Sequence, residues 1–283
     1  MLFLMLAILC NAVVPIVTRF SEGRVKSKIN LFAVNYVACL VLAFFHTEGL
    51  NVFPRVEGFN EALICGLVDG VLYISGLLLI QYNVNHGGVV LTSVFSRLGE
   101  LVLPIIVAVC VFGEIPKTLQ VIGAVLAVIS IIAINYDKEL GKKKTALLSV
   151  IALFALFFAD GGVAAMSKIM KETAGDHMSP YYLFYTFLMA LFICIVIAVV
   201  KKERPGVKEI LYGVGMGIPN FFAARFLLKA LESVPAVIAY PTWGVLGILV
   251  TTLAGVIMFK ERLKAHQWVS MGAILVSVVL LNL

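Results

Sequence analysis

The sequence predicts an all-α integral membrane protein, ten transmembrane helices in two inverted five-helix repeats that together form a single domain over residues 1–283. Three observations lead there. The chain is 61% hydrophobic and only 13% charged, with a mean hydropathy of +1.05, which leaves too little polar surface to cover a water-soluble globule. Its apolar residues gather into runs of membrane-crossing length, about 20 residues for roughly 30 Å of hydrocarbon. Segments of the first half also recur in the second at a nearly constant offset.

The expected spans are 1–18, 29–46, 61–82, 89–111, 117–135, 145–167, 180–200, 209–231, 236–259 and 265–283. They are continuous, without the period-two alternation of barrel strands, and a helix satisfies its own backbone groups in lipid. The first, "MLFLMLAILCNAVVP", lacks the charged start and small-residue cleavage site of a signal peptide and is read as a span. Span 3 carries Asp69 and Tyr73, span 4 the stretch "SVFSRLGELVLP", span 6 Asp160, span 8 Asn220 and Arg225, and span 9 "YPTWG". The connections are short and leave no room for a soluble catalytic or nucleotide-binding domain. Five cysteines lie inside spans without a C-x-x-C pair, and read as small apolar fillers.

The repeat rests on three matches. "VFGEIPKTLQVIG" (111–123) lies over "MFKERLKAHQWVS" (258–270) at an offset of 147, and the same offset lays "GLVDG" (66–70) over "GVGMG" (213–217). "NAVVPIVTR" (11–19) resembles "DGGVAAMSK" (160–168) at an offset of 149. The halves are 1–140 and 141–283. Five is odd, so the second copy enters the membrane from the opposite side. Loop charges agree: Arg55 alone follows span 2, whereas "KKERPGVK" follows span 7. Loops after odd-numbered spans hold 15 basic residues and those after even-numbered spans hold 5, which places both termini away from the cytoplasm. The net charge of +6 is thereby a topology signal with attraction to anionic lipid, and implies no nucleic acid.

Span 4 poses the functional question. On an insertion scale Arg97 and Glu100 together cost roughly 5–7 kcal/mol, against roughly 4–8 kcal/mol returned by the apolar residues of that span. A lipid-facing position is therefore marginal, and the polar side should turn inward. Ser93, Ser96, Arg97, Glu100 and Pro104 recur at steps of three and four and share one helical face. Asn11, Asp69, Tyr73, Asp160, Asn220 and Arg225 fall at similar depth, which points to one cavity near the midplane, where carriers built from repeats keep their sites. Three acids face two arginines there. An acid without a cation neutralises rather than remaining charged in a dry site, so Asp69, Glu100 and Asp160 are the candidates to carry a coupling proton. Asn11 and Asn220 also suit interhelical hydrogen bonds.

Pro15, Pro104, Pro219 and Pro241 fall inside spans, where proline interrupts the hydrogen-bond ladder, and are candidate hinges. Tyr240 and Trp243 of "YPTWG" are expected to line the cavity. Gly66, Gly70, Gly213 and Gly217, at four-residue spacing, suit close helix contact. Glu114 and Glu261 lie beside short turns and read as structural groups at helix ends. The histidines form no metal-ligand pair, no metal or other cofactor is implied, and H-E-x-x-H and G-x-S-x-G are missing.

The ten-span plan and the paired "FGEIPKTLQVIGAVLAVISIIAIN" and "FKERLKAHQWVSMGAILVSVVLLNL" segments resemble the EamA-like branch of the drug/metabolite transporter superfamily. The resemblance implies a secondary carrier of the cell membrane that moves a small molecule by alternating access, commonly as an exporter of amino acids, other metabolites or toxic compounds, with spans 3, 4, 8 and 9 lining the cavity. It also implies cytoplasmic termini, the reverse of the loop charges. Charges of both signs beside Tyr73, Tyr240 and Trp243 suit a small zwitterion or an amphipathic amine, with an amino-acid-like cargo preferred: bound substrate, protons and lipid are the expected partners. A membrane-embedded lipid-modifying enzyme and a passive channel are the competing readings. The first needs a converging nucleophile and base or metal ligands; the second has no use for inverted halves with hinged helices.

Overall fold

A computed structural model of the chain describes residues 1–87, 89–134, 147–260 and 265–283. Ten α-helices follow in order: α1 (Leu2–Ser21), α2 (Lys28–Phe45), α3 (Phe59–Gly87), α4 (Val89–Cys110), α5 (Thr118–Ile134), α6 (Leu147–Ala174), α7 (Ser179–Val200), α8 (Val207–Leu231), α9 (Ala236–Phe259) and α10 (Ala265–Asn282). Short 3-10 turns occupy Glu48–Leu50 and Asp176–Met178, and no strand occurs among the described residues. Each expected span has its helix. Among the described residues nine are long and apolar enough to cross a membrane, while α5, at 17 residues, is shorter. The lysine-rich connection after α5 and Glu261 lie outside the described residues.

Both α3 and α6 run past their expected ends, α6 as far as Ala174. The reason for α6 is that its last charges find partners: Lys168 pairs with Glu114 and Lys171 with Asp176. The starts of α2 and α8 are fixed by side chains. The Ser27 hydroxyl accepts the Asn30 N–H at the start of α2. Glu209, buried in the first turn of α8, accepts the Gly206 N–H and reaches the N–H groups of Lys26 and Ser27. One carboxylate thus fixes the starts of both α8 and α2.

The four candidate hinge prolines do not break their helices. α1, α4, α8 and α9 run through Pro15, Pro104, Pro219 and Pro241 without a change of assignment. Each proline removes one N–H, which releases the carbonyl four residues earlier: those of Asn11, Glu100, Gly215 and Val237. At each proline the helix is thus continuous with one ladder bond missing.

The helices group into two compact units. The first comprises residues 1–74 and 169–233: α1, α2, the start of α3, the tail of α6, α7 and α8. There α8 packs along α1 and α2, and α7 along α2. Between helices in lipid there is no hydrophobic drive, so small residues that let backbones meet decide the contacts. A Cβ on Gly66 or Gly70 of α3 would meet the carbonyl oxygens of Tyr182 and Thr186 on α7 at 2.7 and 2.6 Å. A Cβ on Gly213 or Gly217 of α8 would meet those of Leu31 and Asn35 on α2 at 2.9 and 2.6 Å.

The second unit comprises residues 75–168 and 234–283. Leu101, Ala127, Ile131, Val245, Ile248, Met271 and Ile274 form its core where α4, α5, α9 and α10 meet. On α5, Gly123 abuts α10, and the Ser277 hydroxyl donates to the Gly123 carbonyl at 2.9 Å. The two glutamines matched by the repeat serve the two ends of α5: Gln120 accepts the Lys117 N–H, and Gln267 donates to the Ile134 carbonyl. Large apolar side chains point outward in both units, among them Ile64, Phe192, Leu211 and Ile257, as lipid requires.

Candidate functional site

The expected site residues divide between the units. In the second unit, α4 presents Arg97 and Glu100, joined at 2.8 Å with side-chain exposures of 24% and 26%. Asp160 on α6 accepts a short hydrogen bond from the Ser96 hydroxyl, and Arg97 lies within electrostatic range of Asp160 as well as Glu100. Ser93 is half-buried on the same face of α4. One carboxylate thereby pairs with the guanidinium and a second stands within its electrostatic reach.

Glycines set this geometry. A Cβ on Gly99 would strike the Phe157 carbonyl, and one on Gly161 would meet the Gly99 carbonyl at 2.6 Å. α4 and α6 therefore touch backbone to backbone, close enough for Ser96 to reach Asp160. On α3, Gly76 leaves the room that the Asp160 carboxylate fills, because a Cβ there would collide with Oδ1. Gly76, Gly99 and Gly161 were not among the expected residues. The signal was present in the "RLGE" and "ADGG" stretches, where glycine flanks the acid.

α9 carries the aromatic pair. Trp243 is half-buried. Tyr240, expected to line a cavity, is instead fully buried, and its hydroxyl donates to the Ala164 carbonyl on α6 at 2.7 Å. The start of α9 is tied down as well. Glu114 accepts the N–H groups of Ala236 and Val237 at 3.3 and 3.1 Å, and pairs with Lys168 at 2.6 Å. Lys168 is 7% exposed and lies 5.6 Å from the centre of the Phe112 ring. A carboxylate at a helix N-terminus meets unsatisfied amides and the positive end of the dipole. Sequence reading placed Lys168 in a connection and so missed the pair.

In the first unit, Asp69 of α3 is 2% exposed. Its partners are hydroxyls of α7, Tyr182 at 2.7 Å and Thr186 at 3.1 Å, while Oδ1 has none. Tyr73, one turn further on, meets the Tyr36 ring edge to face at 6.4 Å. Asn220 of α8 donates to Asn35 Oδ1 at 3.3 Å, across the contact that Gly217 permits. Asn11 is half-buried on α1, with Pro15 exposed one turn on. Arg225 stands apart from these. It lines a cavity of about 240 Å³ with residues from the ends of α2, α7 and α8, nearer a helix end than the shared depth expected for it. Among the described residues no group of three or more His, Cys, Asp or Glu has the arrangement to hold a metal ion.

Helices with apolar exteriors and ionisable residues on internal faces define a multi-pass membrane protein. The chain matches the model of the EamA-like transporter family over residues 146–283. It is 33% identical to the spermidine export protein MdtI of Cronobacter sakazakii over 96 residues, which cover 34% of this chain and 88% of that protein. It is 34% identical to the quaternary ammonium compound-resistance protein QacC of Staphylococcus aureus, over 29% of this chain and 77% of that protein. An uncharacterized protein of Haemophilus influenzae is 24% identical over 94% of this chain and 92% of its own length. A crystal structure of 14% identity has a TM-score of 0.78, covering 99% of this chain and 94% of that one, and shows a common fold. The chain belongs to the EamA-like family of the drug/metabolite transporter superfamily. It is accordingly a membrane transporter and not an enzyme.

Proposed function

We propose that the protein is a secondary carrier that exports small amine-bearing solutes across the cytoplasmic membrane by alternating access. The observation that carries this reading is the Arg97–Glu100 pair with a second carboxylate, Asp160, within electrostatic range of the same guanidinium. Two carboxylates around one guanidinium leave an excess of negative charge in a poorly solvated place, which a substrate ammonium would offset. Pro104 releases the Glu100 carbonyl, a further acceptor for the same ammonium. Ser93, Ser96 and Trp243 supply polar and aromatic contacts in that unit, and Asn11, Tyr73 and Asn220 are proposed polar contacts in the other. An amino group is common to the amino-acid-like cargo expected from the sequence and to the spermidine named for the MdtI relative. The export direction is also taken from the names of the relatives.

Inverted repeats at 1–140 and 141–283 are part of the proposal, because alternating access follows naturally from rocking two related halves. Two facts support them. The family match begins at residue 146, close to the expected boundary. The glycine contacts also have the same form: Gly66 and Gly70 relate to Gly213 and Gly217 by 147 residues, and Tyr182 and Thr186 to Leu31 and Asn35 by 151. A contact of α3 on α7 would thus have its copy in α8 on α2.

The test is uptake into proteoliposomes of spermidine, a tetraalkylammonium ion and a neutral amino acid, with and without a pH gradient. Glu100→Gln and Asp160→Asn should each lower amine transport at least about tenfold, the worth of one charge-assisted contact. Amine transport unchanged in the double variant would end the proposal. Coupling to protons is assigned to Asp69, Glu100 or Asp160. Asp69→Asn transport that remains equally responsive to an imposed pH gradient would remove Asp69 from that set.

A further inference from the structure

The starts of α2 and α8 are joined, and the junction gathers charge. Glu209 accepts the N–H groups of Lys26 and Ser27, and the Ser27 hydroxyl donates to Glu203. The α1–α2 and α7–α8 connections therefore meet at one end of the first unit, although 183 residues separate Lys26 from Glu209. Arg24, Lys26 and Lys28 come from the first connection and the turn after it. Lys201, Lys202, Arg204 and Lys208 come from the second, and all of these side chains are exposed. The acids of this end do not balance them. Glu203 and Glu209 are committed to the Ser27 hydroxyl and to backbone amides, which leaves Glu22, three residues after Arg19, as the remaining carboxylate. Among the described residues Lys26, Lys28, Lys201, Lys202, Arg204 and Lys208 have no ion pair. Arg24 is steadied across α8, where it donates to the Tyr212 hydroxyl at 2.8 Å. The connections at the opposite end of the unit carry Glu48, Glu57, Asp176 and Glu232 against Arg55, so the unit is polarised along its helices.

We propose that this basic end of the first unit is a binding surface for anionic phospholipid headgroups. Like charges from two distant segments, held side by side by the fold, raise the local positive potential above what either connection supplies. Position identifies the partner. Val199 and Val200 precede Lys201 and Lys202, while Val207 and Leu211 flank Lys208 on α8, and all four are exposed. Basic groups thus stand directly beyond an apolar band that faces lipid, which matches a phosphate above its acyl chains, and lysine stems reach from one to the other. A soluble anion has no use for that band. The surface is more than the general attraction that net charge implies, because it lies at one end of one unit and needs both connections.

Association of spin-labelled phosphatidylglycerol and phosphatidylcholine with the full-length protein in phosphatidylcholine vesicles tests this, since lipid held at the protein is motionally restricted. Wild type should favour phosphatidylglycerol by roughly 3- to 10-fold. The preference should shrink as salt rises from about 0.1 to about 1 M and the screening length falls from about 10 to about 3 Å. The pairs Lys26→Gln with Lys28→Gln, and Lys201→Gln with Lys202→Gln, should each lower the preference at least about twofold, and all four together should bring it close to parity. Arginine at the same four positions keeps the charge, controls for folding and should retain the preference. Lys229→Gln, at the opposite end of the unit, should leave it unchanged. No preference in wild type, an undiminished preference in the fourfold glutamine variant, or an equal loss in Lys229→Gln overturns the proposal. So does a preference that sodium phosphate removes and sodium chloride of equal ionic strength does not, which would assign the surface to a soluble anion. Because the readout is lipid association, it is independent of whether amines are transported.

Discussion

Lys168 and Glu114 form a contact on which two helices of the second unit depend. Glu114 serves two helices at once, through the Lys168 ammonium on α6 and the first amides of α9. Removal of the acid strips both, leaving a 7% exposed lysine without that partner. Glu114→Ala should therefore cost roughly 3–5 kcal/mol. Lys168→Met should cost less, because Glu114 keeps the amides of Ala236 and Val237 and is the more exposed of the two. Unfolding midpoints of the two single variants and the double variant give the order and the coupling. A Lys168→Met more damaging than Glu114→Ala would contradict this reading of the contact. The Arg97–Glu100 pair was visible from spacing alone, since i and i+3 face one another on any helix. Lys168–Glu114 spans 54 residues, and no local pattern encodes it.

Among the elements, the glycines separate into those that admit a neighbour and those that do not. Gly70 faces the Thr186 carbonyl at what would be 2.6 Å, whereas Gly215 has nothing within 4 Å. Gly70→Ala should push α3 from α7 and lower stability by roughly 1–3 kcal/mol, the range for overpacking. Gly215→Ala should be neutral or slightly stabilising, by up to about 1 kcal/mol, because alanine is the better helix former. Thermal unfolding of the two variants side by side checks this. The prolines belong to the same scale. Pro104→Ala restores the N–H that the Glu100 carbonyl lacks, and should raise stability while slowing transport, if the missing ladder bond lets α4 bend during the cycle. Equal transport rates in Pro104→Ala and wild type would remove Pro104 as a hinge.

For the whole molecule, the central expectation is that equivalent connections of the two halves face opposite sides. Arg55 follows α2 and Arg204 follows α7. In a background lacking the native cysteines, Arg55→Cys and Arg204→Cys should react with an impermeant maleimide from opposite faces of the membrane. The loop charges place Arg204 in the cytoplasm. Labelling of both positions from the same side would eliminate inverted repeats, and labelling of Arg204 from outside would reverse the orientation while keeping them.

Composition and run length alone determined that this chain is helical and lives in lipid, and where its ten helices lie to within a few residues except at the extended ends of α3 and α6, because the bilayer imposes one length and one hydrogen-bonding solution. They also supplied the residues on the polar face of α4, since helical periodicity is local. What only the tertiary structure decided is how those residues are used. Asp160 meets Ser96 through backbone contact at Gly99 and Gly161, Asp69 is taken up by α7 hydroxyls, Tyr240 is spent on α6, and Arg225 is left with a cavity of its own. Each of these depends on which helices are neighbours. In a membrane that choice is made by small residues and by hydrogen bonds between distant segments; four-residue glycine spacing marks a contact face in the chain but does not name the helix that meets it.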